Sequence, residues 1–270
     1  MGEIDPRLGG LPRFGETKIL FFDVFGTVVD WRSSVTAELI KQGKEKGSSS
    51  NTPESLQQRI RELTKDDWAN FAQQWRASYG KFTTSFVPGE TEPKDIDTHH
   101  YDSLIEHLQT WGIKGAFSDE EIRDLSLVWH RLSPWPDSSK GLALLNTKYQ
   151  TSTLSNGNVE LLRDLKDFGK LSFQHVVSSW EFEAYKPHPS VYLGAAQKNN
   201  FEPKECALVA AHLGDLRAAK NLGFRAIYVE RPREEAFSAD AVAEARHWVD
   251  MWIAENEEGF VEVAKKLDIS

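Results

Sequence analysis

The sequence predicts an α/β fold in which a doubly wound parallel sheet carries an inserted helical-bundle cap. Three observations predict it. An apolar segment over residues 18–22 runs directly into Asp23, about a hundred residues of helical periodicity follow, and short β-branched segments then alternate with helices. Strands that alternate with helices form a parallel sheet, because each crossover helix covers one of its faces.

The predicted elements divide the chain into three parts. Residues 1–16, with Gly9-Gly10, predict a loosely ordered N-terminal arm. A Rossmann-like core domain is predicted for residues 17–32 and 133–270, and a helical cap domain for residues 33–132. The first core strand is followed by four more predicted strands, at 150–154, 175–178, 207–210 and 225–229.

The cap is predicted to be a bundle of four amphipathic helices. Its second helix is predicted to begin at Thr52 and Pro53 and to continue at helical spacing to Trp75. The fourth helix opens with Ser118 and Glu121, a capping box in which each side chain accepts from a free backbone amide. Beyond Ser238, apolar residues predict helices that cover the sheet or form a dimer surface: Val242, Trp248, Val249 and Trp252.

Composition excludes several classes of partner. The net charge of −9 leaves no basic footprint for nucleic acid or an anionic membrane. No apolar run approaches the roughly 20 residues that span a bilayer, and the first residues do not resemble a signal peptide. A single cysteine, Cys206, allows no intrachain disulfide. We therefore expect a cytoplasmic protein.

Four polar signals follow separate predicted strands or loops, and their order is informative. They are Asp23 in FFDVFGT, Ser155-Asn156 in TLSNGN, Lys186 in YKPHPSVY and Asp215 in AHLGDLRAAKNLGF. Ligands of doubly wound sheets bind beyond the carboxyl ends of the strands, where these residues are expected to meet. Together they resemble the haloacid dehalogenase superfamily over residues 17–32 and 133–231, with the helical insertion matching that superfamily's cap.

Two departures distinguish the chain from the magnesium-dependent phosphatases of that superfamily. The phosphatase pattern Asp-x-Asp supplies a general acid, but Phe25 stands at the second position. The acidic fourth motif usually offers another carboxylate, but Ala210 and Ala211 stand there. Both changes remove oxygen ligands or proton donors, so we expect chemistry without a metal or other cofactor. The remaining motifs resemble the 2-haloacid dehalogenase branch.

That resemblance implies roles for the motif residues. Asp23 would attack the carbon that bears the halogen and form an aspartyl ester. Lys186 would keep Asp23 ionised against the effect of burial. Ser155 would hold the substrate carboxylate, while Asn156 and Arg32 would face the departing halide. Arg32 is selected because the family's cap supplies an arginine near the halogen and this one lies at the junction of core and cap.

Several roles have two interpretations from sequence alone. Asp215 is the family's choice for activating the hydrolytic water and ranks first, but His212 has an ordinary pKa nearer neutrality and is the alternative base. Thr27 either holds the loop or contacts Asp23. Phe25, Tyr192 and Trp31 are assigned to the substrate site, and for Tyr192 and Trp31 the alternative is a packing role.

The expected activity is the cofactor-free hydrolysis of short (S)-2-haloacids to 2-hydroxy acids. The partner is then a small halogenated carboxylic acid, and a homodimer is possible by analogy with the family. Two alternatives remain open at this point. One is a phosphatase of the same superfamily with a degenerate metal site, and the other is a binding protein that kept the fold and lost catalysis.

Overall fold

A computed structural model describes residues 14–269, and its centre is a five-stranded parallel sheet. The strand order is β2-β1-β3-β4-β5, which is the doubly wound α/β arrangement that the sequence predicts. Residues 1–13 of the predicted arm lie outside the described residues, and 14–16 form a turn. The strands are β1 (Ile19–Phe22), β2 (Gln150–Thr153), β3 (Cys206–Ala210), β4 (Arg225–Val229) and β5 (Met251–Ile253).

One strand prediction is wrong and one strand is missing from the predictions. Residues 175–178 do not form a strand, because only isolated bridges join His175 to Ser152 of β2 and Ser178 to Ser155 beyond it. The fifth strand is instead β5, which pairs in parallel with β4. Trp252 therefore lies in the sheet rather than in a covering helix. A strand of three residues is too short to show a period of two in the sequence.

Helices cover both faces of the sheet, as parallel strands require. Alternate residues of β1 divide between two apolar cores: Leu20 and Phe22 point into one, and Ile19 and Phe21 into the other. All four are fully buried. The helices around the sheet are α6 (Ser138–Leu145), α7 (Val159–Phe168), α8 (Pro189–Lys198), α9 (Leu213–Asn221), α10 (Ala239–Ala245) and α11 (Gly259–Lys266).

A bundle of helices lies between β1 and α6, as predicted for the cap segment. The predicted second helix is in fact two helices, because Thr64 and Asp67 form a capping box that starts a new helix. The box at Ser118 and Glu121 is present as predicted. The bundle helices are α1 (Trp31–Ser48), α2 (Glu54–Glu62), α3 (Lys65–Ser85), α4 (Ile96–Thr110) and α5 (Asp119–Ser126).

The register of the sheet brings the polar motifs to one edge. Phe22, at the end of β1, pairs with Thr153 on one side and Val209 on the other. The residues that follow these three strands therefore emerge side by side. Within residues 14–269, no helix is long and apolar enough to cross a membrane.

Candidate active site

Asp23 leaves β1 at the carboxyl edge of the sheet. Its backbone N–H donates to Val209 O at 3.1 Å, which continues the ladder with β3 and fixes the direction of the side chain. The carboxylate is buried, with 7% of the residue exposed. Oδ2 accepts from Thr27 Oγ1 at 2.6 Å, and Oδ1 accepts from Lys186 Nζ at 2.9 Å. A buried carboxylate is thus held by donors on two sides.

The pair formed by Asp23 and Lys186 is ionised at neutral pH. Burial raises the pKa of Asp23, but the Lys186 ammonium and the bonds from His212 and Thr27 outweigh it and hold this pKa below its ordinary value. Burial lowers the pKa of Lys186, but Asp215 and Asp23 together raise it above its ordinary value. Asp23 is therefore available as a carboxylate nucleophile.

Asp215, in the first turn of α9, anchors the other side of Lys186. Its Oδ2 accepts from Lys186 Nζ at 2.5 Å, and its Oδ1 accepts from Tyr192 Oη at 2.5 Å. Burial, then the Asp215 carboxylate, raises the pKa of Tyr192 well above its ordinary value, so its hydroxyl remains a donor. Both oxygens of Asp215 are thus engaged by neighbouring side chains.

Thr27 joins two loops beneath the nucleophile. Its hydroxyl donates to Asp23 and accepts from the backbone N–H of Ala211 at 2.9 Å. Thr27 therefore has both of the roles considered from sequence, since it holds the loop and also contacts Asp23.

The two residues of the TLSNGN motif, Ser155 and Asn156, lie in different surroundings. Asn156 lines the pocket above Asp23, and its Oδ1 accepts from the Lys186 backbone N–H at 2.8 Å. Ser155 is fully buried, and its Oγ accepts from the Gly157 N–H at 3.3 Å. Ser155 therefore shapes the turn, and the structure does not bring it into the pocket.

His212 lies between two carboxylates. Its Nδ1 is 3.0 Å from Asp23 Oδ2, and its Nε2 is 3.4 Å from Glu234 Oε2. Burial lowers the pKa of His212, but the bonds to Asp23 and Glu234 reverse this and raise the pKa to about 9. His212 is therefore an imidazolium in the resting protein at neutral pH, with a proton on each nitrogen.

A pocket of about 310 Å³ opens above these groups. Its size suits a small molecule of a few heavy atoms, and aromatic rings from both the core and the bundle form its walls. The residues that line it are Asp23, Phe25, Arg76, Tyr79, Asn156, Lys186, Pro187, His212, Gly214 and Asp215.

Arg76 is a pocket residue that the sequence predictions missed. Its guanidinium lies 4.3 Å from the ring centroid of Tyr79 and 6.0 Å from that of Phe25. Within residues 14–269, no carboxylate lies within ion-pairing distance of it. A signal existed, since Arg76 interrupts an apolar face of α3 formed by Ala72 and Tyr79. A pocket-facing guanidinium that no carboxylate pairs is suited to an anionic ligand.

Arg32, the predicted halide-side arginine, is turned away from the pocket. Its guanidinium donates to Gln73 Oε1 and, at 3.2 Å, to the carbonyl of Arg233. It also stacks 4.4 Å from the ring of Trp31, which is itself buried behind the pocket wall. Arg32 and Trp31 therefore support the wall and do not line it.

The residues at this edge do not fit a bound Mg²⁺. Phe25 and Ala211 supply no oxygen from their side chains, and the two carboxylates that line the pocket, Asp23 and Asp215, are bridged by the Lys186 ammonium. Within residues 14–269, no group of three or more His, Cys, Asp or Glu side chains is arranged to hold a metal ion. Magnesium prefers several oxygen ligands.

The chain is similar to known proteins in both sequence and structure. A model of the haloacid dehalogenase-like hydrolases matches residues 17–223. A defluorinating L-2-haloacid dehalogenase of known crystal structure is 31% identical to this chain in sequence. The two structures match with a TM-score of 0.79 over 95% of this chain and 98% of that one. The (S)-2-haloacid dehalogenase 1 of Pseudomonas sp. (strain CBS-3) is 26% identical over 80% of this chain and 87% of its own length.

A further relative is the (S)-2-haloacid dehalogenase of Xanthobacter autotrophicus. It is 32% identical over 137 residues, which are 50% of this chain and 54% of that enzyme. The match thus spans about half the length of this relative. The family model alone covers well over half of the chain, and it confirms the resemblance inferred from the four motifs. The chain belongs to the haloacid dehalogenase-like hydrolases.

Proposed function

We propose that this protein hydrolyses short (S)-2-haloalkanoic acids to 2-hydroxy acids through an ester of Asp23, without a metal or other cofactor. The observation that carries the proposal is the ionised Asp23, held by Lys186 at the floor of a small aromatic pocket. Phe25 stands two residues after Asp23, at the position where the phosphatase pattern has the carboxylic acid that protonates a leaving alcohol. The 2-haloacid dehalogenases named above support the assignment of substrate.

In the first half of the reaction, an oxygen of Asp23 attacks the carbon that bears the halogen. The new C–O bond forms as the C–X bond breaks, and the electron pair leaves with the halide. Hydration weakens carboxylate nucleophiles, so a mostly apolar pocket and fixed orientation accelerate this step. Arg76 takes the role that was predicted for Arg32, which is to face the departing halide, because the Arg76 guanidinium faces the pocket.

The substrate carboxylate is held by polar groups on the core side. Asn156 Nδ2 is 3.5 Å from the Lys186 carbonyl, a long contact, and we infer that this amide donates to the substrate carboxylate. Ser155 acts indirectly, by forming the turn that places Asn156. The rings of Phe25 and Tyr79 exclude water and limit the length of the substrate chain.

In the second half, water attacks the ester carbonyl carbon of Asp23 and a base accepts its proton. Asp215 ranked first from sequence, but both of its oxygens accept short hydrogen bonds from Lys186 and Tyr192. His212 lies 3.0 Å from Asp23 and is therefore the better placed base. Asp215 instead anchors Lys186.

Single-turnover hydrolysis of 2-chloropropionate in ¹⁸O-labelled water tests the covalent route. In the first turnover we expect the label in Asp23 and unlabelled oxygen in the lactate, and we expect the Asp23→Asn variant to release no chloride. Label that appears directly in the first lactate would contradict the ester intermediate. Activity that is lost with EDTA and restored by Mg²⁺ would instead support the phosphatase alternative.

We further infer the organisation of the protein and its location. Residues 17–32 and 133–270 would form the core domain and residues 33–132 the cap, since the pocket combines core residues with Arg76 and Tyr79 of α3. A cytoplasmic enzyme is consistent with a single, buried cysteine, Cys206. A homodimer is proposed by analogy with the family, and light scattering of the purified protein would test it.

A further inference from the structure

Glu234 is a buried carboxylate on the side of His212 opposite to Asp23. Its side chain is 5% exposed, and Oε2 lies 3.4 Å from His212 Nε2. It belongs to the segment between β4 and α10, where no motif of the sequence analysis falls. Burying a charged group costs free energy unless the charge is paired, so the burial of Glu234 requires an explanation.

Contacts from the first loop and from α1 hold Glu234 in place. Trp31 Nε1 donates to the same Oε2 at 3.0 Å, and the Arg32 guanidinium is 4.0 Å from Oε1. The carboxylate lies over Gly26, where a Cβ atom would come within 2.1 Å of Oε2. Glu234 therefore occupies space that any side chain at position 26 would take.

We infer that Glu234 is a positioning residue that fixes the His212 ring and makes Nδ1 the base for hydrolysis of the Asp23 ester. This inference rests on the proposed function, because it concerns the second half of that reaction. Glu234 accepts from Nε2–H and so selects the tautomer in which Nδ1 carries the lone pair. Nδ1 is the nitrogen that faces Asp23.

Formation of the ester releases His212 from its resting state. Before the reaction, two carboxylates flank the ring and raise its pKa to about 9. Esterification removes the charge of Asp23, so the pKa of His212 falls and the Nδ1 proton leaves to solvent. The His212 side chain is 28% exposed and lines the pocket, and the proton leaves through this pocket. Glu234 remains and keeps the second proton on Nε2.

The charged groups around His212 are consistent with this sequence of events. Asp23 and Glu234 contact the ring directly. Asp23 also contacts Lys186, whose charge is balanced by Asp215. Glu234 also faces the Arg32 guanidinium at 4.0 Å. Arg76 faces the same pocket. Of these groups only Asp23 loses its charge when the ester forms, so the protonation of His212 reports on the covalent state of the nucleophile.

Atoms and charges balance over both halves of the reaction. Water adds to Cγ of the Asp23 ester, and its proton passes to Nδ1 of His212. The bond between Cγ and the oxygen that carries the substrate carbon then breaks, and this oxygen leaves with the substrate as an alkoxide. The hydroxyl proton of the intermediate passes to the alkoxide and gives the 2-hydroxy acid. Asp23 is again a carboxylate and His212 an imidazolium. One proton and one halide are released per turnover.

The test separates ester formation from ester hydrolysis in the Glu234→Gln variant. Single turnovers with 2-chloropropionate are followed by chloride release and by the intact mass of the protein, between about pH 5 and 9 around the ordinary histidine pKa. We expect chloride release to stay near the wild-type rate and ester hydrolysis to slow about tenfold or more, so that ester accumulates. We also expect a shift in the acid limb, which is the fall in the rate of ester hydrolysis at acidic pH. It should move to lower pH, because the loss of a negative charge beside His212 lowers the pKa of this histidine.

Matched variants complete the test. Glu235→Gln removes a neighbouring charge that contacts the Leu213 N–H and not His212, and it should hydrolyse the ester like wild type. Glu234→Asp keeps the charge and should return the acid limb toward its wild-type position. If Glu234→Gln does not fold, Gly26→Ala displaces the Glu234 carboxylate instead and should slow ester hydrolysis selectively, while His212→Asn tests the base itself.

The outcomes that overturn the inference are distinct from failure of the proposed function. Ester hydrolysis by folded Glu234→Gln at the wild-type rate, or an unmoved acid limb, would show that Glu234 has no such role while the dehalogenase assignment stands. A wild-type protein that releases no halide and forms no ester would remove both.

Discussion

Nδ1 of His130 lies 2.8 Å from Oδ2 of Asp164, and this contact joins the helical bundle to the core. His130 ends the turn that follows α5, and Asp164 lies on α7. Nε2 of the same ring is 3.0 Å from Asp97 of α4, which also accepts from Asn158 at the start of α7. Burial lowers the pKa of His130, but the bonds to Asp97 and Asp164 raise it above its ordinary value.

We predict that His130 makes the stability of the protein depend on pH. A raised pKa in the folded state means that the stabilisation is complete below the unfolded pKa of about 6.5 and is lost as pH rises through the folded pKa. His130→Asn should lower the free energy of unfolding by about 1–2 kcal/mol at pH 6, since it removes charged hydrogen bonds that are partly exposed. Urea unfolding of both proteins at several pH values measures this difference.

The difference between wild type and His130→Asn should shrink above pH 6.5. His175→Asn is a suitable control, because the His175 side chain bonds to Gln150 at the surface and to no carboxylate among the described residues. A difference that is constant or grows as pH rises would contradict a protonated His130.

We predict that Lys186→Met is both inactive and less stable. The change leaves Asp23 and Asp215 buried without their shared cation, which costs about 3–5 kcal/mol of unfolding free energy unless one of them takes up a proton. Proton uptake by Asp23 removes the nucleophile, so kcat/KM for 2-chloropropionate should fall at least about 10²-fold. Chloride release and thermal unfolding are the measurements.

Lys198→Met is the control for Lys186→Met. Lys198 pairs with Glu181 at the surface and should contribute no more than about 1 kcal/mol. If both lysine variants behaved alike, the buried cation between Asp23 and Asp215 would not be the cause.

Arg76 and Arg32 differ in their predicted effects on activity. Arg76→Ala should lower kcat by about 10²–10³-fold, because its charge faces the pocket in which the halide forms. Arg32→Ala should lower kcat less and also lower stability, since Arg32 does not line the pocket and its guanidinium contacts Gln73, the carbonyl of Arg233 and, at 4.0 Å, Glu234. Steady-state kinetics of chloride release compares the two variants. A larger loss of kcat in Arg32→Ala would restore the assignment made from sequence.

The core was predictable because its signals are local. The run before Asp23 is apolar over successive residues, as a strand covered on both faces requires, and the strands before Asn156 and Asp215 are bounded by polar motifs. Parallel strands bring their carboxyl ends to one edge, so the order of the motifs was enough to predict their meeting. The three residues of β5 form a strand only because they pair with β4, and this pairing leaves no local pattern.

The residues that come from outside the core were not predictable in the same way. Arg76 reaches the pocket because α3 packs over the sheet edge, and sequence does not specify how the bundle sits on the core. Arg32 lies close to Asp23 along the chain, yet the start of α1 directs it elsewhere. Glu234 lies in an irregular segment without periodicity, so only the folded chain shows its contact with His212.

Gly26→Ala should disturb both the fold of the first loop and the position of Glu234. Gly26 has φ of +84°, a conformation that a residue with Cβ adopts at a cost of about 1–2 kcal/mol. The added methyl would also meet Glu234 Oε2 at 2.1 Å, so the carboxylate must shift from the position in which it contacts His212. We therefore expect a lower melting temperature and slower ester hydrolysis in the same variant, measured by calorimetry and by single-turnover mass spectrometry.

Gly80→Ala is the matched control for Gly26→Ala. Gly80 lies within α3, and a Cβ atom there would meet nothing within 4 Å. Alanine favours a helix over glycine by about 1 kcal/mol, so this variant should be slightly more stable than wild type and should keep its activity. A Gly26→Ala protein that is as stable and as active as wild type would mean that the loop does not hold Glu234 against His212 in the way its contacts indicate.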